Sequence, residues 1–399
     1  MGIHTVDQIE LKGKRVFVRV DFNVPLDEKK EITDDTRIIS SLPTINFIYG
    51  AGGKVILASH LGRPKGKRDP KYSLAPVAER LSRLLDRGVS LAPDCVGEEV
   101  KGQIERMKEG EVLLLENLRF HPEEEKNEES FSRALASLCD VYINDAFGAA
   151  HRAHASTEGM TRYIRTVAAG FLMMKEMESL EKALVNPQKP YVAILGGAKV
   201  SDKIGVIQNL LNKVDTLLIG GGMAYTFLKA KGFEVGKSLV EGDQVGLSLN
   251  LLEGAKGKIK FLLPSDHVAA ERMDVQARRE IVSNEKIPGD WVCLDIGPET
   301  IGVFSDEIKT ARTLFWNGPM GVFEMEPFSG GTFAIARAVA NSQAFSIIGG
   351  GDSVAAVNQA GVADKIGHIS TGGGASLEFI EGKKLPGIEA LRKNSGEIG

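Results

Sequence analysis

The chain is punctuated by short runs of Val, Ile and Leu, each ending at a polar or glycine cluster. In order they are RVFVRV (residues 15–20), KVILAS (54–59), VLLLE (112–116), VYIND (141–145), YVAIL (191–195), TLLI (216–219), KFLLP (260–264), VCLD (292–295), TLFW (313–316), FSII (345–348) and HIS (368–370). Continuous apolar character over four to six residues, without alternation, is the signature of strands covered on both faces, as in a parallel sheet. Amphipathic stretches of helical length lie between the runs, for example residues 74–87 and 131–139. Strand and helix alternating in this way predict a doubly wound α/β architecture.

Residues 170–185, GFLMMKEMESLEKALV, read as one long helix ended near Asn186-Pro187. About four strands are expected before it and about seven after it. Single cores rarely grow past ~250–300 residues, so a chain of 399 is expected to form two domains joined by this helix. The expected divisions are a first domain over 1–170, a connector over 171–186, a second domain over 187–379 and a tail over 380–399.

Ligands of open parallel sheets bind at the carboxyl ends of the strands, so the residues after each run are the chemically informative ones. In the first half they are polar and basic: Asp21, Asn23, His60, Arg63, Arg119, Asn144 and Asp145, with Arg37 nearby and His151, Arg152 and His154 in GAAHRAH. The arginine fork suits phosphate and carboxylate, so this half predicts a seat for a small, multiply charged anion. HRAH lacks the spacing of a helical metal motif.

In the second half the strand ends are glycine clusters, at 196–197, 220–222, 349–351 and 372–374. Glycine lets backbone N–H groups approach a phosphate closely, and a helix that follows adds free N–H groups and a positive dipole end. Lys199 and Lys203, four apart, are expected on one face at a helix start, and Asp352 is placed to hold Mg²⁺ through one carboxylate. This half predicts a nucleotide site. GFEVGKS (232–238) mimics a P-loop, but its glycine spacing is one residue short and no apolar run precedes it.

Composition narrows the choice. With 49 Lys+Arg against 53 Asp+Glu and a net charge of -4, no global field favours nucleic acid. Cys95, Cys139 and Cys293 are isolated and odd in number, so neither a disulfide framework nor a zinc site is expected. The first fifteen residues lack an apolar core, and the longest uncharged apolar stretch (216–228) is too short to span a bilayer. A cytoplasmic protein without a membrane span is therefore expected; a monomer is expected as well, though composition does not decide it. The runner-up functions are a Rossmann-type NAD-dependent dehydrogenase, disfavoured because no GxGxxG stands before a ribose-binding acid, and a two-domain binding protein without chemistry.

Taken together the motifs resemble the phosphoglycerate kinase family along essentially the whole chain. The resemblance rests on RVDFNVP (19–25), ASHLGRPKG (58–66), LLLENLRF (113–120), NDAFGAAHRAHAS (144–156), GGAKVSDKI (196–204), IGGGMAYTFL (219–228), DIGPET (295–300), WNGPMGVFE (316–324), GGGDS (349–353) and STGGGASLEF (370–379). It implies two Rossmann-like, three-layer α/β/α domains with parallel sheets facing across a cleft, hinge-bending, and a terminal segment that returns to the first domain. It implies reversible phosphoryl transfer between 1,3-bisphosphoglycerate and MgADP, giving 3-phosphoglycerate and MgATP. By resemblance the phosphoglycerate site comprises Asp21, Asn23, Arg37, His60, Arg63, Arg119 and Arg152. The nucleotide site comprises Lys203, Gly220, Gly221, Gly297, Asn317, Glu324, Gly350, Gly351, Asp352 and Ser353, with Asp352 toward Mg²⁺ and Glu324 toward the ribose. Arg37, Lys199, Lys203, Gly373 and Gly374 are the candidates for stabilising the transferred group. Ser353 stands where many members have Thr, which keeps the hydroxyl. His267 stands where apolar residues are common and is expected to be a partly exposed structural histidine.

Overall fold

A computed structural model describes residues 2–393. These divide into two compact units, one formed by residues up to Met177 together with the described residues from Lys384 on, the other by residues 178–383. The division falls inside the helix Phe171–Leu184. The described end of the chain belongs to the first unit: in the helix Pro386–Lys393, the amide of Gly387 donates to the Ala150 carbonyl at 2.9 Å.

The first unit is built on six strands: β1 (Arg15–Arg19), β2 (Lys54–Ala58), β3 (Val89–Leu91), β4 (Val112–Leu114), β5 (Val141–Asn144) and β6 (Thr166–Ala169). They form one parallel sheet in the order β3-β4-β2-β1-β5-β6. Helices connect the strands, among them Thr36–Gly50, Ala75–Leu85 and Glu98–Arg106. Val16, Val18, Val55 and Leu57 of the sheet pack with Ile45 and Ile48 of the first helix and Val77 and Leu81 of the second, all at or near zero exposure. Each such side chain contributes roughly 1.5–3 kcal/mol on burial, which makes the sheet a rigid platform for the loops at its edge.

The second unit carries β7 (Tyr191–Leu195), β8 (Thr216–Ile219), β9 (Lys260–Leu262), β10 (Asp266–Ala270), β11 (Arg279–Ser283), β12 (Val292–Ile296), β13 (Thr313–Asn317), β14 (Phe345–Gly349) and β15 (His368–Ile369). A parallel sheet runs β15-β14-β13-β7-β8-β9. Its core joins Val192, Ile194, Leu314, Trp316 and Ile348 to Phe304 and Ile335 of the flanking helices.

Among the described residues the strand count departs from expectation, with six strands before the long helix and nine after it. β3 and β6 are too short, as VSL and TVAA, to announce themselves by pattern. β10, β11 and β12 form a separate antiparallel sheet, so VCLD belongs to that sheet and not to the parallel one. His267, in β10, is fully buried and not partly exposed. Its Nε2 lies 2.8 Å from Asn284 Oδ1, which only accepts, so Nδ1 accepts from the Tyr225 hydroxyl at 3.1 Å. Burial holds this imidazole below its ordinary range, and it is a neutral core link.

The segment 232–238 is a loop after the helix Met223–Ala230 and has no strand before it, in keeping with its rejection as a P-loop. Among the described residues no helix is long and apolar enough to cross a membrane.

Candidate active site

In the first unit the cluster begins at the carboxyl end of β1. Asp21 is buried and accepts from Arg37 Nη1 at 2.9 Å. The same nitrogen reaches the Asn23 carbonyl at 3.4 Å, while Asn23 Oδ1 accepts from the Gly62 amide at 2.8 Å. This ties the loop after β1 to the loop after β2. Arg119 is buried in the turn after β4 and donates to the Gly62 carbonyl at 2.8 Å. Loops from three adjacent strands thus meet at Gly62, and Arg63 follows it, exposed and without a side-chain partner among the described residues. Arg152 donates from Nε to His151 Nε2 at 3.2 Å.

His60 lies at the centre, its Nδ1 3.9 Å from Asp21 and 3.2 Å from Arg19 Nη2. A guanidinium only donates, so Nδ1 accepts and the imidazole proton sits on Nε2. Burial, then the positive charges of Arg19, Arg119, Arg37 and Arg152, push His60 well below its ordinary range. It is a neutral donor inside a cationic cluster. Arg119 is itself lowered, chiefly by burial.

Arg19 is a residue that the pattern of strand ends passes over, because it lies inside an apolar run. Its guanidinium is buried, with Nε donating to Ser156 Oγ at 2.8 Å and Nη1 to its neighbour's carbonyl, that of Val20. Behind Ser156 stands the buried Glu124, which accepts from the Ser156 amide at 2.9 Å and the hydroxyl at 2.5 Å. Burial raises the Glu124 carboxyl, though Arg19 opposes the effect. His154, 3.9 Å from Glu124, is pushed down to about 3 by burial and then by Arg19, Arg119 and Arg152. The only signal for this support in the sequence is an arginine amid valines.

In the second unit a cleft of about 380 Å³ lies at the carboxyl edge of the parallel sheet. It brings together Lys199, Lys203, Asn317, Gly350, Gly351, Asp352, Ser353, Gly373 and Gly374. Lys203 is buried and donates to Asn317 Oδ1, and Asn317 Nδ2 donates to the Gly349 carbonyl at 2.7 Å. Burial lowers Lys203 to about 8, against the opposing pull of Asp202 and Asp352. Ser353 Oγ accepts from the Gly318 amide at 2.6 Å, locking the turn after β13 to the helix Gly351–Gln359. That helix opens in the cleft at Gly350, whose φ of 93° an L side chain rarely adopts. Asp352 is exposed in its first turn.

The lysines do not share a helical face. The helix is Ile204–Leu210, Lys203 is its cap, and Lys199 lies in the turn before it; the folded-back turn brings both to the cleft. Gly220 and Gly221 stand behind it. A Cβ on Gly221 would come within 2.5 Å of the Gly197 amide nitrogen, and one on Gly220 within 2.5 Å of Met320 Sδ. Gly297 and Glu324 do not line this cleft. A Cβ on Gly297 would meet Asp266 at 2.2 Å, and Asp266 caps the next helix by accepting from the Thr300 amide at 2.8 Å. Glu324 is exposed in the loop after β13.

A family model described as phosphoglycerate kinase matches residues 6–383. The phosphoglycerate kinase of Koribacter versatilis is 61% identical over 396 residues, covering 97% of this chain and 98% of that one. The phosphoglycerate kinase of Geobacter metallireducens is 59% identical, covering 99% and 100%. Among solved structures, phosphoglycerate kinase from Coxiella burnetii superposes with a TM-score of 0.90 at 41% identity, covering 98% of this chain and 100% of that one. The enzyme from Pyrococcus horikoshii gives 0.87 at 35% identity, covering 98% and 99%. With the family model spanning nearly all of the sequence and full-length relatives near 60% identity, the chain belongs to the phosphoglycerate kinase family.

Proposed function

We propose that the two clusters divide the work of one phosphoryl transfer, the first unit holding the phosphoglycerate and the second the nucleotide. The chain is a phosphotransferase with a carboxyl group as acceptor, and the dehydrogenase alternative falls with its family membership. The reaction runs reversibly between 1,3-bisphosphoglycerate and ADP, giving 3-phosphoglycerate and ATP.

The carboxylate of 3-phosphoglycerate is ionised at neutral pH, so no general base is required. What the protein must supply is position and compensation of charge on the phosphoryl group in flight. Arg63, Arg119 and Arg152 hold the phosphate end of the glycerate. Asp21 and Asn23 take its hydroxyl, and His60, with its proton on Nε2, donates to its carboxylate. Arg37, anchored on Asp21, is placed to follow the transferred group from this side.

In the second unit Lys203, Lys199 and the amides of the Gly373-Gly374 turn compensate charge on the phosphates. Gly220, Gly221, Gly297 and Glu324 are assigned to the base and ribose end. The donor set fits Mg²⁺: Asp352 presents an exposed carboxylate oxygen at the cleft, and Mg²⁺ is held by one or two carboxylates plus phosphates. When bound, the ion neutralises phosphate charge. Transfer requires the two substrates to come within reacting distance, about 3–3.5 Å.

The observation that carries this reading is the gathering of two lysines, Asp352 and two glycine turns in one cleft. A coupled assay with MgATP and 3-phosphoglycerate tests it; absence of turnover with both substrates present overturns it. We assign the chain to the cytoplasm as a monomer; light scattering of the purified protein checks the monomer.

A further inference from the structure

The loop after β3 and the turn after β4 meet at a second cluster, apart from the residues assigned above. Asp94, Cys95 and His121 each offer one donor atom, and the three lie within 4.8 Å of one another. Asp94 and Cys95 are consecutive, and Asp94 Oδ1 accepts from the Cys95 amide at 2.7 Å. The same oxygen lies 2.7 Å from His121 Nε2. His121 stacks on Phe131, ring centroids 5.2 Å apart, which orients its Nε2. Cys95 is fully buried, while the side chains of Asp94 and His121 are 37% and 27% exposed and leave a path to solvent.

We propose that Asp94, Cys95 and His121 form a binding site for a thiophilic divalent cation of the Zn²⁺ class. A thiolate, an imidazole and a carboxylate suit that ion, whereas Mg²⁺ and Ca²⁺ prefer oxygen alone. Bond lengths of about 2.0–2.3 Å in a tetrahedron set donors roughly 3.2–3.6 Å apart, so shifts of about 1 Å complete the geometry. The cation replaces the proton shared by Asp94 and His121 and displaces the proton of the Cys95 thiol, both released to solvent. Water takes the fourth position.

The surroundings favour a positive ion. Burial, ahead of the charges of Asp94 and Glu124, pushes the Cys95 thiol up, a cost the cation must offset, while carboxylates surround the site: Asp94 is hydrogen-bonded to His121, and Glu123 acts on that imidazole too. Glu123 also leaves Oε2 buried with no hydrogen-bond partner. The loops that the ion would join sit on adjacent strands, and the second holds Arg119 two residues before His121. Occupancy would therefore brace an arginine of the anion cluster.

The test is titration of the purified full chain with Co²⁺, without Mg²⁺ or nucleotide. The expected result is one Co²⁺ per chain, a thiolate-to-cobalt charge-transfer band in the near ultraviolet, and displacement by equimolar Zn²⁺. Cys95→Ser should abolish the band, and Asp94→Asn and His121→Gln should each weaken binding at least ~10-fold. Cys139→Ser and Cys293→Ser should change nothing. Because a change at the buried Cys95 can disturb folding, circular dichroism accompanies each variant, and the half-exposed Asp94 and His121 provide the independent arm. A missing band, a band that survives Cys95→Ser or His121→Gln, or adventitious binding seen only at millimolar Co²⁺ overturns the proposal.

Discussion

Lys203→Met separates the catalytic from the structural consequences of a buried charge. The lysine is 8% exposed, and burial lowers it from 10.5 to about 8. That depression means the charged form carries a cost on the order of 3 kcal/mol in the folded state. The folded pKa lies below the unfolded one, so the folded protein binds fewer protons between pH 8 and 10.5, and wild-type stability rises with pH across that window. Below pH 8 the full cost is present. Methionine removes it but leaves Asn317 Oδ1 without its donor, a loss of about 1–2 kcal/mol. A net gain of about 1–2 kcal/mol at pH 7 is expected, with turnover lower by ~10²–10³, as for loss of one preorganised donor to developing charge. Urea unfolding at pH 7 and pH 10 reads the first effect, and the coupled assay reads the second. The advantage of the variant should shrink at pH 10. In the wild type, kcat/KM should fall above about pH 8, and that limb should vanish in Lys203→Met. A variant that is less stable at pH 7 and retains turnover within threefold would refute both the burial cost and the catalytic role.

Arg37→Ala should lower turnover by ~10²–10³ while leaving nucleotide binding intact; turnover within threefold removes its assigned role. Gly350→Ala forces an L side chain to φ 93° with a Cβ 2.8 Å from Asn317 Nδ2. It should cost more than about 1 kcal/mol and raise the nucleotide KM, and unchanged thermal unfolding and KM would contradict the close approach. In NMR titrations His60 should titrate below the ordinary histidine range and His154 near about 3, both lowered chiefly by burial, whereas His121, raised chiefly by its hydrogen bond to Asp94, should titrate above 6.5. A His60 midpoint near 6.5 would mean that the cationic cluster is not assembled in solution.

The parallel strands were legible because strands covered on both faces write continuous apolar runs, as in YVAIL and TLFW, whose nine side chains are all buried. The glycine clusters were legible because close backbone approach admits no other residue, as at Gly221 and Gly350. The antiparallel sheet was not. β11, REIVS, leaves three of its five residues exposed, so no apolar run marks it, and β10 buries the polar Asp266 and His267.

What the sequence alone determined is the architecture, the family and which half carries arginine or glycine at its strand ends. Those follow from local composition and order. The tertiary structure decided which of two similar lysines is buried, with Lys203 held under Asn317 and Lys199 exposed. It decided that Gly297 serves a helix cap at Asp266, and that Arg19, from within a strand, sets the proton position on His60. Burial and electrostatic fields are sums over neighbours distant in the chain, such as Arg19 and His60, 41 residues apart, and no local pattern records them.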